Sequence, residues 1–267
     1  MIRYFLHLGF DGTSYSGWQR QKNTPNTVQE VIEQTLFQIF KEKITVYGCG
    51  RTDAGVHATQ YIIHIDLDAA PEFDLKYRLN KNLPDDIAIF EIIEVEDNQH
   101  CQYDAVARTY DYFIHWKKDP MLIRYSAFYE DVELDFRTME KATELLRHTS
   151  DFRPLCKQPN QYKSTMCRIT RCELYVNEES GRLRLTITSN RFLRGMVRLC
   201  VFFLLEVGRG AITLHEFEQV LHQEKTLNQM QPALPNGLFL TKVSYPFLEL
   251  KDAHHLIRMK RMGFSPE

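Results

Sequence analysis

This chain lacks the features that mark several large protein classes. Its six cysteines show no paired Cys-x-x-Cys spacing, and 267 residues are too many to need disulfide staples, so neither a zinc site nor a disulfide framework is expected. Gly48, Gly50 and Gly55 fit neither dinucleotide nor P-loop spacing, and no Gly-Lys-Ser/Thr follows them, which removes the common phosphate cradles. The longest apolar run, 196–207, is shorter than a bilayer requires and carries Arg198 and Glu206. Met1 is followed by a strand-like alternation, not by a basic and then apolar leader. Positive charge is not in excess: 33 Lys and Arg stand against 35 Asp and Glu, a formal net charge of -2. A surface so balanced does not bind polyanions as a whole, so any nucleic-acid site is expected to be a local basic patch. These absences together predict a soluble, reduced, cytoplasmic protein with no membrane attachment and no bound metal.

The charge is, however, unevenly spread. Acids dominate 66–104, whereas 147–209 is rich in basic residues, among them Arg153, Lys157, Arg168, Arg171, Arg191 and Arg194. Apolar periodicity then divides the chain into elements. Ile2, Tyr4, Leu6, Leu8 and Phe10 alternate with other residues as a strand does, and Asp11-Gly12 ends it with a turn. Thr27 and Glu30 have the spacing of a capping box before an apolar stripe of Val31, Ile32, Thr35, Leu36, Ile39 and Phe40. A short strand at 44–47, a strand at 61–67, a helix at 75–83 stopped by Pro84, and a buried strand at 87–95 follow.

The second half repeats the order at low resolution, with strands at 109–116, 169–176, 183–188 and 238–245 and helices at 136–148, 192–207 and 214–222. The expected fold is α+β, two tandem ferredoxin-like (split β-α-β) halves forming an extended antiparallel sheet, with helices on one face and a broad central cleft. The expected domains are 1–104, 105–246 and a tail, 247–267, helix-prone around 253–262.

One stretch stands out for chemistry. Residues 50–58, Gly-Arg-Thr-Asp-Ala-Gly-Val-His-Ala, set the carboxylate of Asp53 beside the cation of Arg51 in a glycine-bounded turn. Asp53 is the side chain there that can act as nucleophile or base, although the same residues would also suit a turn closed by an ion pair. His57, four residues on, would lie near Asp53 on a helical turn; a structural histidine is the commoner outcome. Arg198, on an otherwise apolar helix, needs a partner or a route to solvent. After the first strand, Tyr15, Trp18 and Gln19 lie beside Arg20 and Lys22, a mixture of rings and cations suited to RNA, as do Arg191 and Arg194 further on.

Several segments resemble those of the tRNA pseudouridine synthase A family. They are Phe10-Asp11-Gly12 with Tyr15, Gly17, Trp18, Gln19 and Gln21; the loop 50–58; Arg108-Thr109-Tyr110-Asp111-Tyr112; Asn190-Arg191-Phe192-Leu193-Arg194-Gly195-Met196-Val197-Arg198; and Gly237-Leu238. The resemblance implies catalysis by Asp53, displacement of the target base by Arg51, and stacking of the uracil on Tyr110. It also implies an apolar contact from Leu238, and Arg198 as a cationic partner. It further implies a homodimer isomerising uridine in the anticodon stem-loop of tRNA, at positions 38 to 40, with no cofactor. The chain departs from the family pattern at Arg153-Pro154-Leu155-Cys156 and at Leu199-Cys200. Two rival readings are a non-catalytic RNA-binding module and a metabolic enzyme for a phosphorylated small molecule; intact Asp53, Tyr110 and Arg198 count against the first.

Overall fold

The alternation at the start of the chain becomes β1 (Ile2–Phe10) in a computed structural model that describes residues 1–130, 133–225 and 230–250. The helix-prone part of the tail, 253–262, lies outside the described residues. The chain divides into two compact units, whose described residues lie within 1–106 with 239–250, and within 107–238 without 131–132 and 226–229.

In the first unit β1 is followed by α1 (Val28–Phe40), β2 (Tyr47–Gly48), β3 (His57–Leu67), α2 (Leu75–Asn82) and β4 (Ile87–Val95). Strand β1 lies between β3 and β4, antiparallel to both. Helix α1 forms where the sequence expects it. Thr27 caps it by accepting from the Glu30 amide at 3.3 Å, and Val28, Ile32 and Leu36 are its buried apolar face. Each such side chain contributes roughly 1.5–3 kcal/mol by burial, and the cap about 1 kcal/mol. Val31 and Ile39, expected in the stripe, are only half-buried.

Three elements of this unit differ from the sequence reading. The strand expected at 44–47 shrinks to β2, although Ile44 and Val46 are buried. Side chains of α1 take the place of a ladder there: the Val46 amide donates to Glu33 Oε1 at 3.2 Å, and its carbonyl accepts from Gln29 Nε2 at 3.0 Å. Strand β3 starts at His57 rather than Tyr61, because Ala58 already pairs with Phe10. Strand β4, expected to be buried, is the outer strand of its unit and buries only Ile87 and Ile89.

The second unit comprises β5 (Ala107–His115), β6 (Ala127–Phe128), α3 (Phe136–His148), β7 (Ile169–Asn177), β8 (Arg182–Ser189), α4 (Met196–Gly208) and α5 (Leu214–Leu221). Strand β8 runs antiparallel between β5 and β7. Helix α3 packs on β7 and α4 through Met139, Ala142, Thr143 and Leu146. Ten of the thirteen residues of α4 are buried, so the apolar run at 196–207 is a core helix. It begins at Met196 and not at 192, because Gly195 sits at φ 73, a left-handed conformation that interrupts helical geometry and favours glycine. Among the described residues no helix is long and apolar enough to cross a membrane.

The last strand, β9 (Leu238–Ser244), follows the second unit in sequence, yet from Phe239 on it belongs to the first. It pairs with β3 in parallel, Phe239 opposite His57 and Leu240 opposite Ala58. Buried Gln60 serves the same junction by accepting from the Val243 amide at 2.8 Å. All six cysteines are buried free thiols.

Candidate active site

The loop carrying Asp53 is clamped from below by the connection between β1 and α1. The Thr52 carbonyl accepts from the Trp18 amide at 3.2 Å, the Gly55 amide donates to the Tyr15 carbonyl at 3.3 Å, and the Tyr61 hydroxyl donates to the Gly50 carbonyl. The Val56 amide donates to the Asp53 carbonyl at 3.2 Å and closes the turn. Gly12 is pressed against this turn so closely that a Cβ would lie 2.0 Å from the Val56 carbonyl oxygen. The result is a half-buried Asp53 on a braced backbone, with Arg51 exposed two residues earlier. Among the described residues Arg51 makes no ion pair, so the turn is not closed by an Arg51–Asp53 bridge.

His57 opens β3 instead of lying on a helical turn, and its ring is 1% exposed. Its Nδ1 is 3.0 Å from Asp11 Oδ1 and 3.1 Å from the Gly12 amide, and the ring stacks on Phe239 at 4.5 Å. Burial pushes the Asp11 carboxyl up, but hydrogen bonds from His57 and Thr13 outweigh it and hold it well below the usual carboxylate range. His57 Nδ1 accepts from the Gly12 amide and faces the Asp11 carboxylate. His57 thereby ties the end of the Asp53 turn to Asp11 and to β9. Its sequence signal was its place in the 50–58 motif, and that of Asp11 its place in Phe10-Asp11-Gly12.

This arrangement predicts distinct outcomes for two variants. His57→Asn retains a donor for Asp11 and should keep kcat within about fivefold, whereas His57→Phe keeps the stack but loses the bond, and should lower kcat roughly 10- to 100-fold through a displaced loop. Steady-state kinetics with thermal melts would check this; equal kinetics for both would show that the hydrogen bond is irrelevant.

Tyr15 and Trp18, candidates for RNA contact in the sequence, are both buried. Trp18 is 2% exposed and stacks on Tyr61 at 4.2 Å. Tyr15 is buried, and its hydroxyl donates to Asp86 Oδ1 at 2.6 Å; burial, then that bond, pushes its phenol up. Both rings buttress the Asp53 loop. Gln19, Arg20 and Lys22 do reach the surface. Gln19 donates to Gln29 at 3.0 Å, and Arg20 pairs with Glu33 at 2.6 Å.

In the second unit Tyr110 lies on β5, 8% exposed, with Phe192 meeting it edge-on at 5.0 Å. Sequence reasoning gave Phe192 no role, although it stands in the quoted segment 190–198. Arg198 is half-buried on α4, and its Nε donates to the Ala233 carbonyl at 2.6 Å. Tyr112 donates to the neighbouring Leu234 carbonyl at 2.7 Å. These two bonds hold the segment that leads, through Gly237, into buried Leu238. Arg191 lies over the Tyr162 ring at 5.8 Å, while exposed Arg194 donates to Gln158. The unusual Leu155, Cys156, Leu199 and Cys200 are all core residues.

For a metal, the described residues offer His64, His100 and Cys101, whose ligand atoms lie within 4.8 Å of one another. Backbone groups already engage one nitrogen of each ring and the thiol. His64 Nδ1 accepts from the Cys101 amide at 3.3 Å, His100 Nδ1 accepts from the Gln102 amide at 3.0 Å, and Cys101 Sγ donates to the Tyr47 carbonyl at 3.2 Å.

The family model for tRNA pseudouridine synthase matches residues 8–104 and 142–246, so it covers the Asp53 loop, Arg198 and Leu238, while Tyr110 lies between the two matched stretches. Among similar proteins, tRNA pseudouridine synthase A of Porphyromonas gingivalis is 37% identical over 254 residues, spanning 92% of this chain and 98% of the relative. That of Bacteroides fragilis is 38% identical over 246 residues, 91% of this chain and 96% of the relative. The Streptococcus mutans protein of the same name is 32% identical over 249 residues, 92% and 99% of the two chains. Matched in both units and along most of its length, the chain belongs to the tRNA pseudouridine synthase family and is an enzyme of that family.

Proposed function

We propose that this enzyme isomerises uridine to pseudouridine in tRNA, on the 3′ side of the anticodon stem-loop, with Asp53 as the essential carboxylate. The observation that carries the proposal is the loop 50–58, a family motif held as a braced turn that presents a half-buried carboxylate beside an exposed guanidinium with no ion pair among the described residues. The reaction breaks the bond between N1 of uracil and ribose C1′, turns the base, and joins C5 to C1′; the C5 proton leaves and N1 gains one. It is redox-neutral and calls for no cofactor. Asp53 either attacks C1′ or removes a ribose proton, and both roles require the ionised form.

A base inside a folded RNA must leave its stack before C1′ can be reached. Arg51 suits that task because its planar cation is free to occupy the vacated place. Tyr110, held edge-on by Phe192, would take the uracil on its face, with Leu238 as the apolar neighbour; Arg198 would balance the carboxylate charge. Gln19, Arg20, Lys22, Arg191 and Arg194 would meet the RNA backbone, and Tyr15 and Trp18 would support the loop from within.

Each unit is read as a split β-α-β, ferredoxin-like fold, supported by the strand order β4-β1-β3 in the first and β5-β8-β7 in the second. Six reduced, buried thiols support a cytoplasmic site of action. A homodimer is part of the proposal; exposed Met121, Ile123 and Tyr125 give the second unit an apolar surface that a second copy could cover.

The test is tritium release from tRNA transcripts carrying 5-tritiated uridine. Release of about one tritium per modified uridine is expected, and its absence from every tRNA would end the proposal.

A further inference from the structure

Where β8 ends, the second unit carries a shallow cavity of about 350 Å³ lined by residues that the catalytic proposal does not use. Its floor is apolar. Cys167 is buried, its thiol pushed up to about 11 chiefly by that burial and so uncharged, while neighbouring Met166 is 51% exposed. Arg147 and Arg168 bring positive charge to its lining, beside His148 and Asn190. Glu144 pairs with Arg147 at 2.9 Å and lies 4.0 Å from His148. Arg168 has no ion-pair partner among the described residues.

The main chain of Arg168 and the residues 189–190 are tied to each other. The Arg168 amide donates to Asn190 Oδ1 at 2.8 Å, the Asn190 amide donates back to the Arg168 carbonyl at 3.2 Å, and Ser189 Oγ donates to the same carbonyl at 3.0 Å. Asn190 Oδ1 is therefore committed, and its amide NH2 is the part left to offer. An apolar floor with one uncompensated cation and one directed amide at the rim matches the chemistry of a nucleotide, base below and phosphate above. The volume lies at the small end of ligand cavities, enough for one nucleotide and too little for a helix. Position agrees. Tyr110 pairs with Ile187 across β5 and β8, so Asn190 lies three residues further along, roughly 10 Å at the rise of a strand.

We infer that this cavity is a second nucleotide subsite, which takes an unpaired nucleotide of the tRNA near the target uridine, its phosphate on Arg168 and its base over Met166. The inference rests on the proposed tRNA activity. The subsite contributes to binding and register and takes no part in the bond exchange.

The experiment measures tRNA affinity at several salt concentrations, and tritium release at saturating tRNA, for wild type, Arg168→Gln, Arg168→Lys and Met166→Ser. Arg168→Gln should weaken binding roughly 3- to 10-fold and flatten the dependence of log affinity on log salt by about 0.7–0.9, the loss of one phosphate contact, while Arg168→Lys restores the slope. Met166→Ser should weaken binding about threefold or more without altering the slope, because it removes only apolar contact. Turnover at saturation should stay within about twofold for all variants, and melting temperatures should match wild type. An unchanged slope in Arg168→Gln overturns the subsite. So does a changed slope with a silent Met166→Ser, which would leave only a diffuse positive surface. Failure of the tRNA activity itself would show separately, as no tritium release from the wild type.

Discussion

Asp53→Asn should abolish tritium release, lowering turnover at least about 10³-fold, while tRNA affinity stays within a few-fold of wild type. The amide is nearly the same size as the carboxylate, and the turn is closed by the backbone carbonyl of Asp53, which the substitution leaves intact. What is lost is the negative charge and the lone pairs of an ionised oxygen, needed whether the group attacks C1′ or takes a ribose proton. Binding draws on many phosphate contacts and tolerates the loss of one anion. A variant that still releases tritium at the wild-type rate would move the chemistry to another residue.

Gly12→Ala should be the most damaging change that touches no catalytic group. The added methyl would lie 2.0 Å from the Val56 carbonyl oxygen and 2.6 Å from its carbonyl carbon, both backbone atoms that cannot swing aside. Either the turn that presents Asp53 moves, or β1 and β3 separate next to the Phe10–Ala58 pair. Overpacking of this kind costs about 3 kcal/mol, which for a unit of this size lowers the melting temperature by roughly 6–12 °C. Activity should fall more than stability does, about 100-fold at a temperature where the variant is folded, because displacement of a reacting group by 1 Å is enough for that. A melting curve beside turnover at 20 °C would check both; wild-type values in either would show that the contact relaxes without cost.

The elements legible in the sequence are those whose local signals agree with their packing. Helix α3 was readable from its ends and its apolar face, and β1 from its alternation and the Asp11-Gly12 turn. The short β2 was not, since its residues are satisfied by Gln29 and Glu33 of a helix, a partnership with no period along the chain. The start of α4 was misplaced because apolar residues continue upstream of Gly195, and only its left-handed backbone stops the helix. In the site, Asp53 and Arg51 were legible from the motif. The burial of Trp18 was not, because a ring beside cations looks the same in sequence whether it faces RNA or stacks on Tyr61. The contact of His57 with Asp11 was not legible either, because only the pairing of β1 with β3 brings the two together.

The placement of β9 bears on how the protein is made. The bond from the Val243 amide to Gln60 joins residues 183 positions apart, and Phe239 reaches His57 over a similar span. On the ribosome β3 therefore waits, with Gln60 and the His57 ring lacking these partners, until the whole second unit has been synthesised. The first unit cannot close early as an independent N-terminal domain usually does. The Asp53 loop acquires its final support only when β9 arrives.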